Sequence, residues 1–127
     1  EEVLQLSQCN HLQQAVQKIL KMGPKYLIMK NGEKGAILFS ENDKFECTSY
    51  PVKKVVDPTG AGDSFAGALA GYLAKEKNIN FLSISSAIIH ANGVASFCVE
   101  KFGVENMLEI NKNELEKRIN FIKNHNI

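Results

Sequence analysis

The stretch that most constrains this chain is Asp57-Pro58-Thr59-Gly60-Ala61-Gly62-Asp63, set between Val55-Val56 and an apolar run beginning at Phe65. The two valines read as the end of a strand. Phe65, Ala68, Leu69, Tyr72 and Leu73 recur at helical spacing, so a helix follows and ends near Lys77-Asn78. A strand that turns through glycines into a helix places a helix N-terminus beside the strand end. Such a terminus leaves backbone N–H groups unpaired and carries a partial positive charge. With no side chains on Gly60 and Gly62, an anion can approach those N–H groups closely. The turn therefore reads as a phosphate cradle.

The rest of the chain supports an α/β layer structure. Leu12, Ala15, Val16, Ile19 and Leu20 form one face of a helix that Gly23-Pro24 ends. Tyr26 to Met29 is a short apolar run without alternation, as in a buried strand. Asn31-Gly32 and Gly35 predict a tight turn, Ala36 to Phe39 a second strand and Lys44 to Tyr50 a third. A helix spans Leu82 to Val99, a loop follows around Gly103, and Asn111 with Glu114 has the spacing of a capping box before a last helix. Gly67 and Gly71 each cost about 1 kcal/mol inside their helix relative to alanine, so close packing against a neighbour is expected there. So few strands leave sheet edges to be covered, and the chain reads as part of something larger.

Composition narrows the function classes. The 127 residues suit one core, and a net charge of +1 gives no field that would recruit nucleic acid or a membrane surface. Lys53-Lys54 and Lys117-Arg118 read as solvated surface pairs. Phe65 to Ala74 is too short and too broken by glycine to span a bilayer. Cys9, Cys47 and Cys98 form no C-x-x-C pair and read as reduced thiols of a cytoplasmic protein. His11, His90 and His125 show no metal-ligand spacing.

Asp63 lies inside the cradle. A carboxylate at a helix start can be a cap or a dipole partner. Beside an anion-binding turn it could instead take a proton from a substrate hydroxyl during phosphoryl transfer, which otherwise needs mainly positioning and charge stabilisation. Other phosphate motifs fit less well. No G-x-x-x-x-G-K-[ST] is present, and Phe65 stands where a dinucleotide fingerprint needs its third glycine.

Asp57-Pro-Thr-Gly-Ala-Gly-Asp63-Ser-Phe-Ala-Gly-Ala68 resembles the second signature of the PfkB, or ribokinase-like, family. Lys30-Asn-Gly32-Glu-Lys-Gly35 resembles the strand-turn that precedes that signature. Ala91-Asn92-Gly-Val-Ala-Ser96 with Gly103 resembles the adenine-side helix and loop. The resemblance implies that residues 1–127 are the C-terminal ATP-binding and catalytic portion of a three-layer α/β/α sandwich. It further implies an ATP-dependent kinase acting on a sugar or nucleoside hydroxyl, with magnesium.

On that resemblance Asp63 is the base, and Gly60, Ala61 and Gly62 form the anion hole. Gly32 and Lys30 lie near the nucleotide phosphates, with Lys30 where the family often has threonine. Asn92 and Gly103 lie on the adenine side. Asp57 and Thr59 match positions that bind a monovalent cation such as K+ in many members. Glu2 matches the glutamate of an N-x-x-E motif that places magnesium. The full-length protein is a candidate homodimer, and this portion alone is expected to have little activity.

Plainer readings stand beside these. Gly32 and Gly35 could serve turn geometry alone, Asp57 could be a turn residue, and Asn92 could be a buried polar residue bonded to backbone. The alternative function is a non-catalytic nucleotide- or phosphate-binding module of the same fold. In a purely structural domain the glycine turn would be only a helix start.

Overall fold

A computed structural model of the chain describes residues 12–31, 34–51, 61–100 and 112–125. Helix α1 (Leu12–Lys21) leads to strands β1 (Leu27–Lys30), β2 (Ala36–Phe39) and β3 (Lys44–Cys47). Helices α2 (Ala61–Ala74), α3 (Phe81–Glu100) and α4 (Lys112–His125) follow. The strands form an antiparallel sheet in the order β1-β2-β3, with Lys30 opposite Ala36 and Ala36 opposite Cys47. The third strand stops three residues short of the predicted Tyr50.

Each turn has a local cause. Between β1 and β2, the Asn31 N–H donates to the Gly35 carbonyl at 2.8 Å, and Gly35 holds φ at +101°. A Cβ at Gly35 would collide with the Cys47 carbonyl oxygen, so both the backbone angle and the close approach require glycine. Between β2 and β3, the Ser40 N–H donates to the Asp43 carbonyl at 2.8 Å, while the Asp43 N–H donates to Ser40 Oγ at 3.1 Å.

Side-chain alternation gives the sheet two faces. Met29, with half-buried Leu27, Ile37 and Phe39, meets Ala15, Val16 and Ile19 of α1. These three and half-buried Leu20 are four of the five residues of the predicted apolar face; Leu12, the fifth, is exposed. The opposite face contributes Ala36, Leu38 and Cys47 to the main core with Phe65 of α2, Ile84, Ile88, Ala91 and Ala95 of α3, and Ile122 of α4. Helix, sheet and helices are the expected three layers.

Helix α3 begins with a reciprocal cap. Asn80 Oδ1 accepts from the Ser83 N–H, and the Asn80 N–H donates to Ser83 Oγ, both at 2.8 Å. Asn111, where a capping box was expected for α4, lies outside the described residues.

Two expectations fail. Among the described residues, an added Cβ at Gly67 or Gly71 would meet nothing within 4 Å. Helix α2 turns Phe65, Ala68, Leu69 and Leu73 toward the core, which sends both glycines to the opposite, exposed side. Arg118 is also not a solvated surface charge; only 8% of it is exposed. Among the described residues, no helix is long and apolar enough to cross a membrane.

Candidate active site

The N-terminal turn of α2 consists of Ala61, Gly62 and Asp63. Ala61 is half-buried, whereas Gly62 and Asp63 are exposed. Among the described residues, a Cβ at Gly62 would meet nothing within 4 Å, so none of them covers the first N–H groups of the helix at that point. Asp63 lies in that same first turn. Phe65, two residues on, is 4% exposed and anchors this turn to the core. Burial of a phenylalanine contributes about 1.5–3 kcal/mol.

Phe65 also connects the turn to β1. The Lys30 ammonium lies 4.6 Å from the centroid of its ring, within cation–π range. Lys30 is exposed as a residue, but its ammonium is partly desolvated against the ring. That desolvation lowers its pKa from the ordinary 10.5, and the charge of a Cys47 thiolate would act in the opposite direction. A phosphate at the α2 terminus would favour the charged ammonium.

Asn92, on α3, is 2% exposed. Its Nδ2 donates to Cys47 Sγ at 3.0 Å, and the Cys47 thiol donates to the Thr48 carbonyl at 3.6 Å. Cys47 is a free, buried thiol; burial pushes its pKa up, partly offset by the Asn92 hydrogen bond and by Lys30. Asn92 Oδ1 is buried with no hydrogen-bond partner among the described residues. A buried acceptor left unmatched costs about 1–3 kcal/mol, so this atom has capacity for one donor.

Lys30, Asn92 and Asp63 thus belong to neighbouring elements around one patch of core, joined through Phe65 and Cys47. Sequence reading missed Cys47. Its partner is 45 positions away on another element, and nothing local marks the pairing. Gly60, Gly32, Gly103, Asp57, Thr59 and Glu2 lie outside the described residues. Among the described residues, no three His, Cys, Asp or Glu side chains gather to hold a metal ion.

The comparisons with known proteins agree on one lineage. Residues 1–111 match the pfkB family carbohydrate kinase model. A ribokinase of Arabidopsis thaliana is 37% identical over 93 residues, covering 72% of this chain and 23% of the relative. A nucleoside kinase of Methanothermobacter thermautotrophicus is 33% identical over 98 residues, covering 76% and 29%.

Among solved structures, the fructokinase of Vibrio cholerae with fructose, ADP and calcium superposes with a TM-score of 0.79 at 26% identity, covering 93% of this chain and 38% of that one. The aminoimidazole riboside kinase of Salmonella enterica, complexed with aminoimidazole riboside and an ATP analogue, gives 0.76 at 30% identity, covering 93% and 39%. The chain therefore spans well under half the length of the relatives it matches.

Proposed function

We propose, from the premise that this chain belongs to the pfkB family of carbohydrate kinases, that it is the ATP-binding and catalytic portion of a kinase for a sugar or nucleoside hydroxyl. The observation that carries this reading is the first turn of α2, where no described residue lies within 4 Å of a Cβ at Gly62 and Asp63 stands exposed.

In the proposed reaction the Asp63 carboxylate takes the proton of the acceptor hydroxyl as its oxygen attacks the γ-phosphorus of ATP. The bond to the β-γ bridging oxygen breaks and ADP leaves. The N–H groups of Gly60, Ala61, Gly62 and Asp63 stabilise charge on the transferring phosphoryl oxygens. Lys30 supplies a cation from β1, with Gly32 two residues on in the chain. Asn92 and Gly103 border the adenine side, and Asn92 Oδ1 retains acceptor capacity there.

The described residues fit phosphate, because none of them crowds Gly62 in the first turn of α2 and the Lys30 ammonium lies against Phe65 of the same helix. Magnesium supplies neutralisation of phosphate charge when ATP is bound, and Glu2 would help hold it. Asp57 and Thr59 would hold a monovalent cation. The acceptor pocket belongs to the part of the protein that relatives have beyond this length, so the 127-residue chain alone would turn over little or no substrate.

The test is Asp63→Asn in the full-length protein. The expected outcome is retained ATP binding with phosphoryl transfer reduced at least about a hundredfold, as for loss of a general base. Undiminished transfer would remove Asp63 from that role.

A further inference from the structure

Helix α4 begins at Lys112, just beyond the matched region 1–111. Its Arg118 nevertheless joins α3, which carries Asn92, to the segment that follows β3. The guanidinium carbon is 3.8 Å from the centroid of the Phe97 ring on α3 and 4.6 Å from that of Tyr50, three residues after β3. Arg118 Nη1 donates to Ser96 Oγ at 2.8 Å, and Ser96 Oγ donates to the Gly93 carbonyl at 2.6 Å.

The same turn of α3 receives α4 closely. A Cβ at Gly93 would lie 3.1 Å from Ile119 Cγ1 and 3.4 Å from Leu115 Cδ1. Phe121 of α4 also meets the Tyr50 ring edge-on at 5.3 Å. Asn92 precedes Gly93 and lies one helical turn before Ser96, so the turn clamped by α4 is the one that carries Asn92.

A buried guanidinium stacked between two rings is a costly way to fill a core. Arginine rather than lysine suits the place because its planar group can stack on both rings while one N–H reaches the serine. The arrangement also determines more than burial does. It sets the distance between the Asn92–Ser96 turn and Tyr50, from which the chain continues toward Gly60 and the α2 terminus.

We infer that Arg118 is a positioning residue for the nucleotide side of the site, holding the Asn92–Ser96 turn of α3 in register with the chain that leaves β3 at Tyr50. The inference rests on the kinase reading for the identity of the ligand, but its geometry is independent of it. Arg118 acts through Ser96, Phe97 and Tyr50 and needs no contact with the nucleotide.

Arg118→Met, Arg118→Lys and the exposed control Lys117→Met in the full-length protein test it by two readouts. Hydrogen exchange should accelerate in Arg118→Met selectively at residues 48–50 and 92–96, with residues 12–39 little changed. The ATP dissociation constant should rise about tenfold, with the acceptor KM within about twofold of the parent and Arg118→Lys between the two. Lys117→Met should match the parent.

Exchange that rises equally in every element, or ATP affinity unchanged despite the local opening, would reduce Arg118 to a purely structural residue and overturn the inference. A parent protein that binds no nucleotide would instead defeat the kinase reading. The exchange pattern alone would then decide whether Arg118 sets the register.

Discussion

Helices α2 and α3 are both rich in small and apolar residues, yet they meet different fates. In α3, Ile84, Ala87, Ile88, Ala91 and Val94 are all 7% exposed or less. In α2 the one fully buried residue is Phe65, while Ala66, Gly67, Ala70, Gly71 and Ala74 are exposed. Position in the layers explains the difference. The sheet, α2 and α4 surround α3, whereas α2 has α3 on one side and no described element against its glycines. Apolar composition sets what a helix can bury; its neighbours set what it does bury.

That contrast can be broken or sharpened by substitution. Ile88 is fully buried among α3's partners, and Ile88→Ala should destabilise the chain by about 2–5 kcal/mol in denaturant unfolding, through lost burial and the cavity left behind. A loss under 1 kcal/mol would mean that α3 is not the centre of the core.

The opposite sign is expected on α2. Gly71→Ala meets no atom of the described residues within 4 Å and should stabilise the chain by up to about 1 kcal/mol, from helix propensity alone. Destabilisation of this 127-residue chain would show that the glycine face is packed.

The smallest effect concerns His90, whose ring lies 5.4 Å from that of Tyr72, where α3 faces α2. Burial, and then the Lys75 charge, lower its pKa from the ordinary 6.5. The unfolded chain therefore binds the proton more readily than the folded chain does. His90 should favour unfolding as pH falls from about 6.5 toward the folded value, with no such contribution above that window. Replacing it by Gln should flatten stability against pH in that window, measured by thermal melting; an unchanged slope would assign the acid sensitivity to other groups.

Much of the layer order is visible in the sequence because helical periodicity is local. Ala15, Val16, Ile19 and Leu20 specify the face of α1, and Phe65, Ala68, Leu69 and Leu73 that of α2, while the strand end and turn expected before Ala61 lie outside the described residues. What is not visible depends on distant partners. Cys47 looks like any reduced cysteine until α3 brings Asn92 to it. Arg118 looks like half of a surface pair until Phe97 and Tyr50 close over it. The openness of Gly67 and Gly71 depends on which elements lie beside α2. The cap formed by Asn80 and Ser83 is local, since Asn-x-x-Ser straddles the helix start, and the apolar pattern alone places that start at Leu82, one residue after the observed Phe81.

The most direct measurement is transfer of the γ-phosphoryl group from magnesium-ATP by the full-length protein to a panel of pentoses, hexoses and nucleosides, with the Asp63→Asn protein as the blank. The account predicts acceptor-dependent ADP formation in the parent and its collapse in the variant. ATP binding without transfer to any acceptor, or transfer that persists in the variant, would contradict the claim that the α2 terminus and Asp63 form a phosphoryl-transfer site.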